Sequence, residues 1–104
     1  MANFLLLYHG GMGMPQNDAD KQKVLAAWND WMGKVDGDLV DAGNPTSNVQ
    51  TLKQSGAEAF AGNRVSGYSI IQAEDLEHAL EIAKTAPIVA QGGSIDVYET
   101  FNAM

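Results

Sequence analysis

Between Val65 and Ala86 the sequence changes its period. Val65 to Ala73 reads V-S-G-Y-S-I-I-Q-A, a run of strand length, and it passes within three residues into Leu76, Ala79, Leu80 and Ala83, spaced by three and four as the core-facing stripe of a helix. Asp75 stands where a side-chain oxygen can cap the first turn, and Pro87 closes the helix by biasing Ala86 away from helical angles. A strand that feeds straight into a helix needs the two packed against each other, so the other segments can be arranged around this unit.

Asn3 to His9, N-F-L-L-L-Y-H, is a short apolar run bounded by Gly10 and Gly11, too short for a buried helix and so a strand. Because it is apolar at both alternating sets of positions, it belongs in the middle of a sheet, covered from two sides. Gly10 to Asn17 is a loop punctuated by three glycines and a proline. A helix starts at Asn17 or Asp18 and presents Val24, Ala27, Trp28, Trp31, Met32, Val35 and Leu39 on one face. Gly33 and Gly37 loosen its second half, and Gly43 with Pro45 stops it. Val49 to Lys53 alternates as an edge strand does, with a hairpin-like excursion around Ala57 to Ala61. Ser94 to Thr100, S-I-D-V-Y-E-T, alternates strictly and forms the last strand after the Gly92-Gly93 turn.

The order is therefore strand, helix, strand, strand, helix, strand: an α+β, ferredoxin-like βαββαβ chain, with four antiparallel strands carrying two helices on one face. The 104 residues suffice for one domain, residues 1–104, with one core. Such a sheet leaves its second face bare, with apolar side chains such as Tyr68 and Ile70 on it. A second copy packed sheet to sheet would cover them, so a homodimer is expected.

Composition removes several functions. Thirteen acidic residues against six basic ones leave a net charge of -7, which repels phosphate backbones and anionic membrane surfaces, so neither nucleic acid nor membrane is expected as a partner. No window approaches the roughly 20 consecutive apolar residues of a membrane span, and the first residues lack the marks of a signal peptide, so the expected address is cytoplasmic. The absence of cysteine excludes thiolate catalysis and cysteine-ligated metal.

The runs G-Y-S-I-I-Q-A-E-D-L-E-H-A-L-E-I-A-K-T-A-P at Gly67 to Pro87 and G-G-S-I-D-V-Y-E at Gly92 to Glu99 resemble the YCII-related family, in particular its DGPF-domain branch. The opening L-L-L-Y strand, the paired Trp28 and Trp31, and Asp41-Ala42-Gly43 agree with it. The resemblance covers most of the chain, least from Asn44 to Arg64, and implies a ferredoxin-like fold assembled as a dimeric α+β barrel. Some YCII-type proteins carry a helix-one histidine paired with an aspartate as acid and base. This chain has no histidine there, so that pair does not carry over.

The candidate catalytic residues are His9 and Asp96. His9 ends the first strand, and the last strand runs antiparallel beside it in this topology, which brings Ser94 or Asp96 near the imidazole, within reach for proton transfer. The bland reading of His9 is a partly exposed histidine that ends a strand. Which side chain of strand one lines the barrel stays open: if it is Tyr8 rather than His9, then Tyr8, Tyr68, Asp96 and Tyr98 line it, and the three tyrosines are the candidate ligand-binding residues. His78 is expected at the surface, and Trp28 and Trp31 in the core. The two histidines have no carboxylates at ligand spacing, so no metal is expected, and no other cofactor. Gly11-x-Gly13 opens like a dinucleotide loop, but Gln16 stands where the third glycine is needed. Two functions remain: a small dimeric enzyme doing acid/base chemistry on a small organic molecule, or a noncatalytic small-molecule-binding or regulatory dimerisation module.

Overall fold

The computed structural model describes residues 1–10 and 17–103. The glycine loop and its Gly11-x-Gly13 motif lie outside the described residues. Strand β1 (Ala2–His9) leads to helix α1 (Asp18–Lys34), a single 3-10 turn (Asp36–Asp38) and strand β2 (Leu39–Asp41). Strands β3 (Gln50–Lys53) and β4 (Gly56–Ala59), then β5 (Val65–Ala73), α2 (Leu76–Ala83), α3 (Pro87–Ala90) and β6 (Ser94–Glu99) complete the order. The main sheet runs β2-β5-β1-β6, every neighbour antiparallel, with the two crossover helices on one face. This is the ferredoxin-like arrangement, and β1 and β5 are its central strands.

Alternation divides the sheet residue by residue. Phe4, Leu6 and Tyr8 of β1 pair with Ile71, Ser69 and Gly67 of β5 and turn toward the helices. Phe4, Leu6 and Ile71 are fully buried, each contributing about 1.5–3 kcal/mol by leaving water. Trp31 and Val35 of the α1 side, Ala79 and Ala83 of α2, and Ala86 and Ile88 close this core. Trp31 is pinned further, since its Nε1–H donates to Thr85 Oγ1 at 2.8 Å and ties the two helical segments together. The opposite face carries Leu5 and Leu7, paired with Ile70 and Tyr68 on one side and with Tyr98 and Asp96 on the other.

Helix ends follow their side-chain chemistry. Asn17 Oδ1 accepts from the Asp20 N–H at 2.8 Å, and Asp75 Oδ1 does the same for His78 N–H at 2.8 Å, each satisfying an amide that the first turn leaves without a partner. α2 stops at Ala83, three residues before the extended Ala86, and Pro87 opens α3 rather than ending α2 directly. The core face of α2 is Ala79 and Ala83, while Leu76 and Leu80 are half exposed, so two of the four positions expected inside lie outside.

The edge strand is the main departure from the sequence reading. Helix one ends at Lys34 instead of running on toward Gly43, and the edge of the main sheet is Leu39–Asp41, paired with β5. Val49 to Lys53 is no part of that sheet; its Gln50–Lys53 portion pairs with Gly56–Ala59 as a separate two-stranded hairpin. Leu39 faces the core whichever way its backbone runs, because a residue four past Val35 shares its helical face and can equally sit on the inner face of a short strand.

The turn after β2 depends on Gly43. Its φ is +76°, and a Cβ built there would stand 1.7 Å from the Tyr68 carbonyl oxygen. Its N–H donates to Asp41 Oδ1 at 2.8 Å. The chain then folds back along β5, where Tyr68 N–H donates to the Asn44 carbonyl at 3.2 Å and Pro45 bridges to Gly67. That return path walls one side of a cleft described below.

Candidate functional site

β1 slips by one residue against β5 between Tyr8 and His9, while its register with β6 stays regular. The slip turns His9 toward the chain entering β5, and the regular side keeps it diagonal to Asp96 on the open face. His9 Nε2 lies 2.8 Å from Asp96 Oδ2, and His9 Nδ1 lies 3.0 Å from the carbonyl oxygen of Arg64. The imidazole is buried at 7% exposure, whereas the Asp96 carboxylate is 57% exposed. The pair therefore has an inner member and an outer one.

Hydrogen-bond accounting gives the pair its character. A carbonyl oxygen and a carboxylate oxygen are both acceptors, and a neutral imidazole carries a single N–H, so it can satisfy only one of them. The ring satisfies both only when both nitrogens carry hydrogen; a neutral ring donates either to the Arg64 carbonyl or to the Asp96 carboxylate, according to its tautomer. The pair thus sets a fixed, water-excluded ring behind a carboxylate that is open to a small molecule.

Tyr68 and Tyr98 stand on the same face as Asp96, opposite Leu7 and Leu5 in the register. Tyr8 does not. Strand alternation places it beneath the helices, with its ring edge-on to Trp28 at a centroid distance of 5.2 Å, which corrects the arrangement in which Tyr8 lines the open face and settles the side-chain parity in favour of His9. The Tyr8 hydroxyl donates to Ser69 Oγ at 2.7 Å, and Ser69 Oγ donates in turn to the Ala42 carbonyl at 2.8 Å. Burial pushes the Tyr8 hydroxyl above its ordinary pKa, partly offset by the bond to Ser69.

A cleft of about 540 Å³ opens on the helix side of the sheet, between α1 and the Gly43 to Thr46 return, with Tyr8, Trp28, Met32, Gly67 and Ile88 among its lining residues. No sequence pattern marks it, because one wall is backbone. A second groove of about 600 Å³ runs between α1 and α2 past Asp30, Lys34, His78 and Glu81. His78 is half-buried there rather than exposed, its Nδ1 accepting from Glu74 N–H at 3.2 Å. Trp31 is in the core as expected, but Trp28 is shared between core and cleft. Among the described residues no three His, Asp or Glu side chains gather as metal ligands, and no helix is long and apolar enough to cross a membrane.

The chain is similar in structure to 5-chloro-2-hydroxyhydroquinone dehydrochlorinase (TftG) from Burkholderia phenoliruptrix AC1100, solved in complex with 2,5-dihydroxybenzoquinone. The TM-score is 0.59 at 16% identity, over 97% of this chain and 95% of that one. At that identity the likeness concerns the fold, and the two chains share it over nearly their whole lengths. No family model and no curated protein matches the sequence.

Proposed function

We propose that this chain is a YCII-related protein of the DGPF-domain branch, working as a homodimeric enzyme that performs acid/base chemistry on a small organic molecule. The observation that carries the reading is the 2.8 Å contact between a buried His9 ring and an exposed Asp96 carboxylate. Both ring nitrogens are engaged, so Asp96 is the catalytic residue, the group that meets substrate and moves its proton. His9 is the positioning residue, holding the carboxylate and supplying or taking up the charge behind it. Tyr68 and Tyr98 supply ring edges and hydroxyls for a ligand on the same face.

The open face supports the dimer. Leu5, Leu7, Tyr68 and Ile70 form a contiguous apolar strip across β1 and β5, and Val40 and Tyr98 flank it at 51% and 53% exposure. A second copy laid on this strip would exclude water from it and bring a wall close to Asp96, which stands on the edge strand β6. The fold shared with an enzyme that acts on a small hydroxylated ring supports the choice of substrate size, and the resemblance of the Gly67 to Pro87 run supports the family.

The test is a panel of small hydroxylated quinones, hydroquinones and oxo acids incubated with the protein in deuterated water and followed by proton NMR. Turnover, or exchange of a carbon-bound hydrogen, is expected for at least one class and is expected to disappear in Asp96→Asn. A panel unchanged by the wild-type protein would overturn the enzymatic reading.

A further inference from the structure

Although roughly one residue in five of this chain is charged, none of the described residues that line the 540 Å³ cleft is. Its polar groups are hydroxyls, amides and backbone, and its apolar walls come from Tyr8, Trp28, Met32, Pro45 and Ile88. Volume and lining both fall in the range of small-ligand pockets, which are mostly apolar with a few placed polar groups. A charged ligand would lose its hydration on entering and find no counter-charge, so the cleft selects a neutral one.

The hydroxyl relay restricts that ligand further. Tyr8 spends its hydrogen on Ser69 Oγ, and Ser69 spends its own on the Ala42 carbonyl. What the relay has left is lone pairs, on Tyr8 Oη above all. The Ala42 carbonyl can only accept, so Ser69 must donate to it and accept from Tyr8, and the direction of the relay is fixed. A ligand reaching Tyr8 must then donate, and a flat ring beside it would meet the Trp28 indole, which stands edge-on to Tyr8.

We propose that this cleft is a binding site for an uncharged aromatic compound of one or two rings bearing a hydroxyl group, a phenol in chemical class, whose O–H donates to Tyr8. The site lies on the helix side of the sheet, on the opposite face from His9 and Asp96, and it does not depend on their chemistry. It differs from the barrel-lining role expected of Tyr8, because the tyrosine serves a pocket within one protomer.

The experiment uses phenol, anisole and benzoate as probes, titrated into 15N-labelled protein with amide shifts read at Gly43, Gly67 and Ser69. Phenol is expected to produce saturable shifts at these positions, anisole to bind about threefold to tenfold more weakly for want of a donor, and benzoate to leave them unmoved. Tyr8→Phe should bring phenol down to the affinity of anisole and leave anisole as it was. Val24→Phe, which adds bulk to the α1 wall without touching the relay, should abolish binding of both, and its dispersed spectrum would show that it folds. Benzoate binding as well as phenol does, phenol binding unchanged in Val24→Phe, or no saturable shift at these amides would each overturn the proposal. Asp96→Asn, inactive under the functional reading above, should bind phenol like the wild type, so loss of one reading does not carry the other with it.

Discussion

Tyr8 and Ser69, 61 residues apart in sequence, are joined by a 2.7 Å hydrogen bond on the buried face of the two central strands, and Ser69 extends the bond to the carbonyl of Ala42. The two ends of this relay are not equivalent. Removing the Tyr8 hydroxyl leaves Ser69 still bonded to Ala42, whereas removing the Ser69 hydroxyl strands a buried donor and weakens its carbonyl partner. Ser69→Ala should therefore cost about 1–3 kcal/mol and Tyr8→Phe only about 1 kcal/mol, compared by urea unfolding. Equal costs would show that the relay does not run in this direction.

The same tyrosine gives the protein a dependence on alkaline pH. Its folded-state pKa lies above the ordinary 10.0, so the folded chain holds this proton more tightly than the unfolded chain does. That contribution is fully present below the unfolded value and is lost as pH rises through the folded one. Unfolding free energy should thus fall as pH rises past the ordinary tyrosine value of 10.0, and fall less in Tyr8→Phe. Identical pH slopes for the two proteins would remove Tyr8 as the cause.

Two glycines should respond to alanine in opposite senses. At Gly43 the positive φ and the 1.7 Å approach to the Tyr68 carbonyl leave no room, so Gly43→Ala should destabilise by more than about 1 kcal/mol and loosen the β2 to β5 return. At Gly33, inside α1, an added Cβ meets nothing within 4 Å, and Gly33→Ala should stabilise by about 0.5–1 kcal/mol. Thermal melts of the two variants decide the matter.

The homodimer is tested at the open face. Val40 and Tyr98 are half exposed on it, and neither contributes to the buried core cluster. Charge introduced there, as in Val40→Lys with Tyr98→Lys, should convert a dimer in sedimentation into a monomer with an unchanged circular dichroism spectrum. A wild-type protein that sediments as a monomer at micromolar concentration would contradict the dimer itself.

How far the sequence could be read depended on how many alternatives each pattern allowed. The β5 strand was legible to the residue, Val65 to Ala73, because the Gly62-Asn63 turn precedes it and the change of period at the Asp75 cap ends it. The nearness of His9 and Asp96 followed from strand order alone. The three-residue edge strand was not legible, since Leu39 fits the α1 stripe as well as it fits a sheet, and Gly37 does not distinguish a bent helix from an ended one. Nor was the facing of β1: Leu5, Leu6 and Leu7 are apolar on both sides, and only the packing of Trp28 on Tyr8 decides it. The inequality within the His9–Asp96 pair came from the slip between Tyr8 and His9, a backbone detail without a sequence mark.

The most direct measurement compares Asp96→Asn with the wild type in turnover and sedimentation on the same preparation. Asp96→Asn should keep the oligomeric state and the folded spectrum while turnover falls by about 100-fold or more, the usual weight of a positioned acid or base. An Asp96→Asn protein that turns over substrate at the wild-type rate would contradict the catalytic role of Asp96.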